Sequence, residues 1–150
     1  MRPFNTYARG LIKNPHFVVE RAITQALTTG KIELHNPTPQ RDFVYRDDHM
    51  FAYLKAIMHY PKCVGKTLNV ATRKCHSIEQ MANLVAESVG RARKSQVEVS
   101  FTAVPDRPHD IARLHGDNKL IKEVLDWSPR YSLEDGIDLA VGEWIQALEL

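Results

Sequence analysis

Cysteine is scarce in this chain. Two occur in 150 residues, Cys63 and Cys75, too far apart for a C-x-x-C pair. That spacing excludes a thiolate zinc site and a disulfide framework, and it suits a reducing compartment. Glycine is never clustered: all seven stand singly, with no G-x-G-x-x-G and no phosphate loop. No tyrosine has a lysine four residues on, since Tyr7 meets Leu11, Tyr45 meets His49, Tyr53 meets Ile57, Tyr60 meets Val64 and Tyr131 meets Asp135. There is no G-x-S-x-G either, so no complete active site is visible. The seven histidines are dispersed without H-E-x-x-H spacing, which argues against a metal. Charge of one sign is also lacking. The net charge is +2 and no run of five like charges exists, which disfavours nucleic acid and anionic membrane as partners. No apolar run approaches the ~20 residues that span a bilayer, and the polar start is no signal peptide. The expectation is a soluble, cytoplasmic domain.

What the chain does have is 43% hydrophobic residues, enough for one domain over 1–150 with a real core. Helical spacing follows Pro15 through Phe17, Val18, Ala22, Ile23, Ala26 and Leu27, and Gly30 closes that helix. Lys31 to His35 reads as a short strand and Asn36-Pro37-Thr38-Pro39 as a turn. A helix is expected from about Asp48 to Tyr60, carrying Met50, Phe51, Leu54, Ile57 and Met58, with Pro61 stopping it. Thr67–Ala71 and Val97–Thr102 read as strands. Ser77 with Gln80 forms a capping box for a helix ending at Gly90. Asp117 starts a short helix, and Ser132 with Asp135 starts the last one, whose Leu133, Ile137, Val141, Trp144, Ile145 and Leu148 share a face. The fold class is α/β, a small mixed unit of helices and short strands.

The densest stretch is Gln40-Arg41-Asp42-Phe43-Val44-Tyr45-Arg46-Asp47-Asp48-His49. It combines a short alternating strand with two aspartates placed to cap a helix and complement its positive end. The same pieces also read as an ordinary strand, a cap and a solvated arginine. Arg41 and Arg107 are the leading anion-binding candidates, because a guanidinium matches a phosphate bidentately and keeps its charge when partly buried. Arg107 lies in a loop stiffened by Pro105 and Pro108. Asp110, three residues on, is placed to accept hydrogen bonds from ribose hydroxyls. The alternative for this loop is a surface turn with a local ion pair. Asn5 and Tyr7 read as pocket-lining groups or as plain strand residues.

In order along the chain, Arg2-Pro3-Phe4-Asn5-Thr6-Tyr7, Gln40–Tyr45 with Asp47-Asp48, Leu68-Asn69-Val70, Ser77-Ile78, Arg107–Ile111 and Leu125-Asp126-Trp127-Ser128-Pro129 resemble the C-terminal half of NAD-dependent sugar-nucleotide epimerases and dehydratases. These are the extended short-chain dehydrogenase/reductases, among them UDP-glucose 4-epimerase, dTDP-glucose and GDP-mannose 4,6-dehydratases, and UDP-glucuronate decarboxylase. The resemblance spans essentially the whole chain. It implies the substrate-binding lobe of such an enzyme without its Rossmann half, which in the family carries the glycine-rich NAD loop and the tyrosine–lysine pair. By the same resemblance Asn5 contacts the substrate phosphate or sugar, and Phe17 and Val18 line the nucleotide pocket. Arg41 and Arg107 clamp the diphosphate, and Asp110 binds ribose. No cofactor is expected on this chain alone; NAD belongs to the complete enzyme, and no activity is expected from this half by itself.

The chain departs from the family pattern in three places. Asn5-Thr6-Tyr7 continues Ala8-Arg9-Gly10 where glycine, proline and arginine are usual, which removes backbone freedom at position 8. Arg46 replaces a usual valine, and Ala71-Thr72-Arg73 stands where a glycine-containing turn is usual. The chain therefore reads either as the substrate-binding part of an epimerase or dehydratase, with a nucleoside-diphosphate sugar and a separate or missing Rossmann half as partners, or as a stand-alone truncated gene product acting as a non-catalytic binding or self-associating module. A homo-oligomer is expected, formed through Phe4, Phe43 or Tyr45 on a face the missing half leaves unfilled.

Overall fold

A computed structural model describes residues 1–9, 16–102 and 111–148. The elements follow in the order β1 (Arg2–Pro3), β2 (Asn5–Tyr7), α1 (Val18–Thr29), β3 (Lys31–His35), β4 (Gln40–Arg41), β5 (Phe43–Tyr45), α2 (Arg46–Met58), α3 (Tyr60–Cys63), β6 (Asn69–Val70), β7 (His76–Ser77), α4 (Ile78–Arg93), β8 (Glu98–Thr102), β9 (Arg113–Leu114), α5 (Lys119–Leu125) and α6 (Leu133–Ala147). The α/β class holds.

The strands form small ladders. β1 pairs parallel with β6, β2 with β5, and β3 with β8 over five residues. β4 lies between antiparallel β7 and parallel β9. In β3 the side chains alternate, with Ile32 and Leu34 buried and Lys31, Glu33 and His35 exposed, the period-2 pattern of a half-buried strand. α1 buries Val19, Ala22, Ile23, Ala26 and Leu27, a single helical stripe. It ends at Gly30, whose φ of 70° lets its N–H reach the Ala26 carbonyl.

Two cores result. One lies among α1, α4, α6 and the β3–β8 pair, with Ile23, Ile32, Met81, Val85 and Ile137 fully buried. The other packs Val44, Ala52, Leu68, Val70, Ile121 and Leu125 around Trp127. Trp127 has no exposed surface, and its Nε1–H donates to the Asp48 carbonyl. Both expected capping boxes form, Ser77 with Gln80 and Ser132 with Asp135.

Several expectations change. α2 begins at Arg46 rather than Asp48, with Tyr45 as its cap residue and no side-chain cap hydrogen bond. Asp48 is therefore not a cap. It is 1% exposed; its Oδ2 accepts the backbone N–H groups of Arg130 and Tyr131, and its Oδ1 accepts from Arg130 Nε. Asp47 pairs with its neighbour Arg46. The α2 apolar pattern faces outward: Met50, Leu54, Ile57 and Met58 are all exposed, the last at 75%, while Ala52 and Asp48 are the residues buried. Phe43 and Tyr45, expected on an unfilled face, are buried in the first core against Tyr7, and Phe4 packs partly buried on the second.

Pro61 does not terminate a long helix; it occupies the first turn of α3, where its missing N–H is not needed. α4 runs past Gly90 to Arg93, because Gly90 leaves room for the Ser95 carbonyl 3.0 Å from where a Cβ would sit. α5 starts at Lys119, with Asn118 rather than Asp117 as its cap residue. The expected strand at Thr67–Ala71 pairs over Asn69–Val70 alone. Pro15 lies outside the described residues. Among the described residues no helix is long and apolar enough to cross a membrane.

Candidate functional site

Asp42 organises the site. It is fully buried between β4 and β5, and its carboxylate accepts four hydrogen bonds: Thr72 N–H at 2.8 Å, Thr72 Oγ1 at 2.7 Å, Arg73 N–H at 3.0 Å and Gly116 N–H at 3.3 Å. Backbone N–H groups converging on one carboxylate satisfy its oxygens away from water. They also hold Arg73 at φ 65°, left-handed backbone that a glycine would adopt more readily. Gly116 is required there, because an added Cβ would fall 2.2 Å from the Ala71 Cβ and 2.9 Å from the Phe4 ring. The Asp42 carbonyl in turn accepts both the backbone N–H and the Nδ2 of Asn5, each at 3.2 Å. Asn5 is thus oriented by its side-chain nitrogen, with Oδ1 making no hydrogen bond among the described residues.

Asn5 and Val18 form the wall shared by two adjoining clefts. The larger, about 480 Å³, lies between Phe4, Phe17 and Phe43, with Arg2, Thr6, Tyr7 and Glu20 as polar residues besides Asn5. The smaller, about 270 Å³, is lined by His16, Arg21, His35, Asn36 and Arg41, and no carboxylate lines it among the described residues. Arg41 is held at its edge by Nη1, which donates to the carbonyls of Gln40 at 2.8 Å and Ile111 at 2.6 Å.

The structure thus brings together Asn5 from β2, Phe17 and Val18 from the start of α1, and Arg41 from β4. Phe17 is 68% exposed at the start of α1, with its ring at the cleft mouth. Arg107 and Asp110 lie outside the described residues. Tyr7 is a core residue: its hydroxyl donates to the Leu133 carbonyl, and burial pushes the phenol well above its ordinary range. Sequence reasoning missed Asp42, Glu20, Arg21 and His35. Asp42 carried a signal, an acidic residue inside an otherwise apolar strand pattern; His35 and Arg21 are exposed polar residues that only the tertiary structure places on the cleft.

Glu20 is 7% exposed; its Oε1 accepts the Ala8 N–H at 3.3 Å, and burial raises its carboxyl above its ordinary pKa. His49 Nδ1 lies 2.8 Å from Thr6 Oγ1, and burial lowers the imidazole. No group of three metal-ligating side chains exists among the described residues. The clefts offer a cationic edge, an aromatic wall and amide and carboxyl hydrogen-bonding groups.

Sequence comparison matches residues 1–140 to the family described as GDP-mannose 4,6 dehydratase. UDP-glucuronic acid decarboxylase 1 of Xenopus tropicalis is 30% identical over 149 residues, covering 99% of this chain and 33% of that protein. The structure of UDP-glucose 4-epimerase from Thermotoga maritima, solved with UDP-glucose, superposes with a TM-score of 0.79 at 25% identity, over 98% of this chain and 45% of that one. UDP-glucuronic acid 4-epimerase from Bacillus cereus, solved with UDP-glucuronic acid and NAD, shares the fold with a TM-score of 0.78 at 22% identity, over 98% and 44%. The chain spans between a third and a half of the length of these relatives.

Proposed function

Because the chain belongs to the GDP-mannose 4,6-dehydratase family of NAD-dependent sugar-nucleotide epimerases and dehydratases, we propose that its paired clefts bind a nucleoside diphosphate sugar and that it serves as the substrate-binding portion of such an enzyme. The observation that carries this reading is the junction at Asn5, where a cleft edged by Arg21 and Arg41 meets a larger one walled in part by Phe4, Phe17 and Phe43. The diphosphate belongs at the cationic edge, where Arg41 and Arg21 supply lasting positive charge. The base lies toward His35 and Val18, and the sugar sits against Phe43 beside Asn5 Oδ1; Phe17, which the resemblance gives to the nucleotide pocket, lines only the larger cleft and belongs to the sugar side in this reading. Arg107 and Asp110 serve the diphosphate and ribose in the same reading.

In a complete enzyme NAD supplies transient oxidation of a sugar carbon. The residues present do not fit that cofactor. Among the described residues, the two places where a strand runs directly into a helix, Tyr45-Arg46 and Ser77-Ile78, lack a glycine, and the second is closed by a capping box. No chemical step is assigned to this chain alone.

Calorimetric titration of UDP-glucose, GDP-mannose and dTDP-glucose into wild type and Arg41→Ala tests the reading. One of them binds wild type and loses about tenfold or more in affinity on losing Arg41, as expected for a charge-assisted phosphate contact. No heat from any of them overturns the proposal. The second reading, a non-catalytic binding or self-associating module, draws on the apolar stripe that α2 presents to solvent. An in-frame coding region for a glycine-rich NAD-binding half upstream of Met1 would decide in favour of the enzyme.

A further inference from the structure

Four buried side-chain polar atoms lack a hydrogen-bond partner among the described residues: Glu20 Oε2, His49 Nε2, Asn69 Oδ1 and Trp144 Nε1. Of these four residues, only Glu20 lines the larger cleft, and it is the sole acidic residue on that wall among the described residues. A carboxyl more than nine-tenths buried, in no ion pair among the described residues, is costly to retain in a wall where Arg2, Asn5, Thr6 and Tyr7 are the other polar residues among phenylalanine, valine, leucine and proline. Its hydrogen bond from Ala8 occupies Oε1 alone. Holding the Ala8 N–H needs one acceptor, so that contact leaves the second oxygen unexplained.

Resting on the nucleotide-sugar reading above, we propose that Glu20 is the sugar-reading residue of the larger cleft, its unpartnered carboxyl oxygen completed by a hydroxyl of the bound sugar. A sugar hydroxyl both donates and accepts, so it satisfies a carboxyl in either protonation state. Burial favours the uncharged acid, which adds no repulsion toward a diphosphate held at Arg41. Glu20 acts on the sugar and not on the nucleotide, because it lines the phenylalanine-walled cleft and is absent from the wall of the cleft that carries Arg21, His35 and Arg41. Selectivity follows from the same physics: a ligand without the hydroxyl leaves a buried polar group unpaired, the situation binding sites reject most strongly.

The test uses whichever of UDP-glucose, GDP-mannose or dTDP-glucose binds wild type most tightly, together with its parent nucleoside diphosphate. Both are titrated into wild type, Glu20→Gln and Glu20→Leu. The expected result is that Glu20→Leu weakens the sugar nucleotide about tenfold or more and leaves the nucleoside diphosphate within about twofold. Glu20→Gln, which keeps an acceptor for Ala8 and a donor for the sugar, stays within about threefold for both ligands. If Glu20→Leu binds the sugar nucleotide as wild type does, the role of Glu20 is overturned while the nucleotide-sugar reading stands. Equal weakening of both ligands overturns it in favour of a purely structural role. No binding of any sugar nucleotide to wild type overturns both.

Discussion

Arg46 makes a forked ion pair with Glu143, Nη2 to Oε1 at 2.7 Å and Nη1 to Oε2 at 3.2 Å, joining the first turn of α2 to the last turns of α6. The Tyr45 hydroxyl donates to the same Oε1, and the guanidinium lies over the Tyr45 ring. A charge at position 46, where the family usually has valine, thus has its partner 97 residues away. Burial acts to raise the Glu143 carboxyl, but the hydrogen bonds from Arg46 and Tyr45 outweigh it and hold the group below its ordinary value of 4.5. A depressed carboxyl stabilises the fold above its unfolded-state pKa, and that contribution is lost as pH falls through the folded value. Glu143→Gln is expected to cost about 1 kcal/mol at pH 7, since the pair is partly exposed and screened. The deficit closes as the pH falls below the ordinary carboxylate range. Urea denaturation of both proteins across that range reads the difference directly, and a deficit that persists in acid would refute the assignment.

Glu20 has the opposite sign. Burial raises its carboxyl above 4.5, so the folded chain keeps the proton that the unfolded chain has released. Wild type therefore loses stability relative to Glu20→Gln as pH rises from 4.5 through the folded value, and the two converge in acid. Chemical denaturation at pH 4 and pH 8 distinguishes this from a constant offset.

Asp48 ties α2 to the Arg130–Tyr131 segment ahead of α6 with three hydrogen bonds to a nearly inaccessible carboxylate. Replacing it with alanine strands two backbone N–H groups and is expected to cost about 3 kcal/mol. A loss below about 1 kcal/mol in equilibrium unfolding would mean that water replaces the carboxylate freely.

Gly136 sits under the Tyr7 ring: a Cβ there would lie 2.0 Å from the Tyr7 hydroxyl oxygen and 3.0 Å from the ring carbon that bears it. Gly136→Ala is expected to destabilise by about 2 kcal/mol through overpacking. Adding Tyr7→Phe removes the clashing oxygen and recovers part of that loss. A double mutant whose cost equals the sum of the two single costs would show that the clash is relieved elsewhere.

The exposed α2 stripe makes its own prediction. Ile57 and Met58 are 72% and 75% exposed, so Ile57→Lys with Met58→Lys changes stability by no more than about 0.5 kcal/mol. The pair reduces concentration-dependent light scattering, because it replaces two highly exposed apolar side chains with charged ones. Scattering that responds instead to changes at Phe43 or Tyr45 would restore the face expected from the sequence.

The parts of this protein legible without coordinates are those governed by neighbours a few residues apart. The stripe of α1, its glycine stop, the alternation of β3 and both capping boxes depend on hydrogen bonds and side-chain spacing within one or two turns, and the residue order alone determined them. The family was legible in the same way, since its series of motifs runs in order along the chain, whereas the grouping of Asn5, Phe17, Val18 and Arg41 around two adjoining clefts needed the fold. Tertiary structure decided what depends on distant partners. An aspartate before a helix reads as a cap, yet Asp48 meets Arg130 and Tyr131 across more than eighty residues. The stripe of α2 carries the spacing of a buried face, yet the tertiary structure buries Asp48 and Ala52 and leaves Met50, Leu54, Ile57 and Met58 exposed. Glu20 was silent in the sequence, and Asp42 signalled only as an acid within an apolar strand, for the same reason: the worth of a carboxyl is set by the donors, cations and water around it, and those are brought together only when the chain has folded.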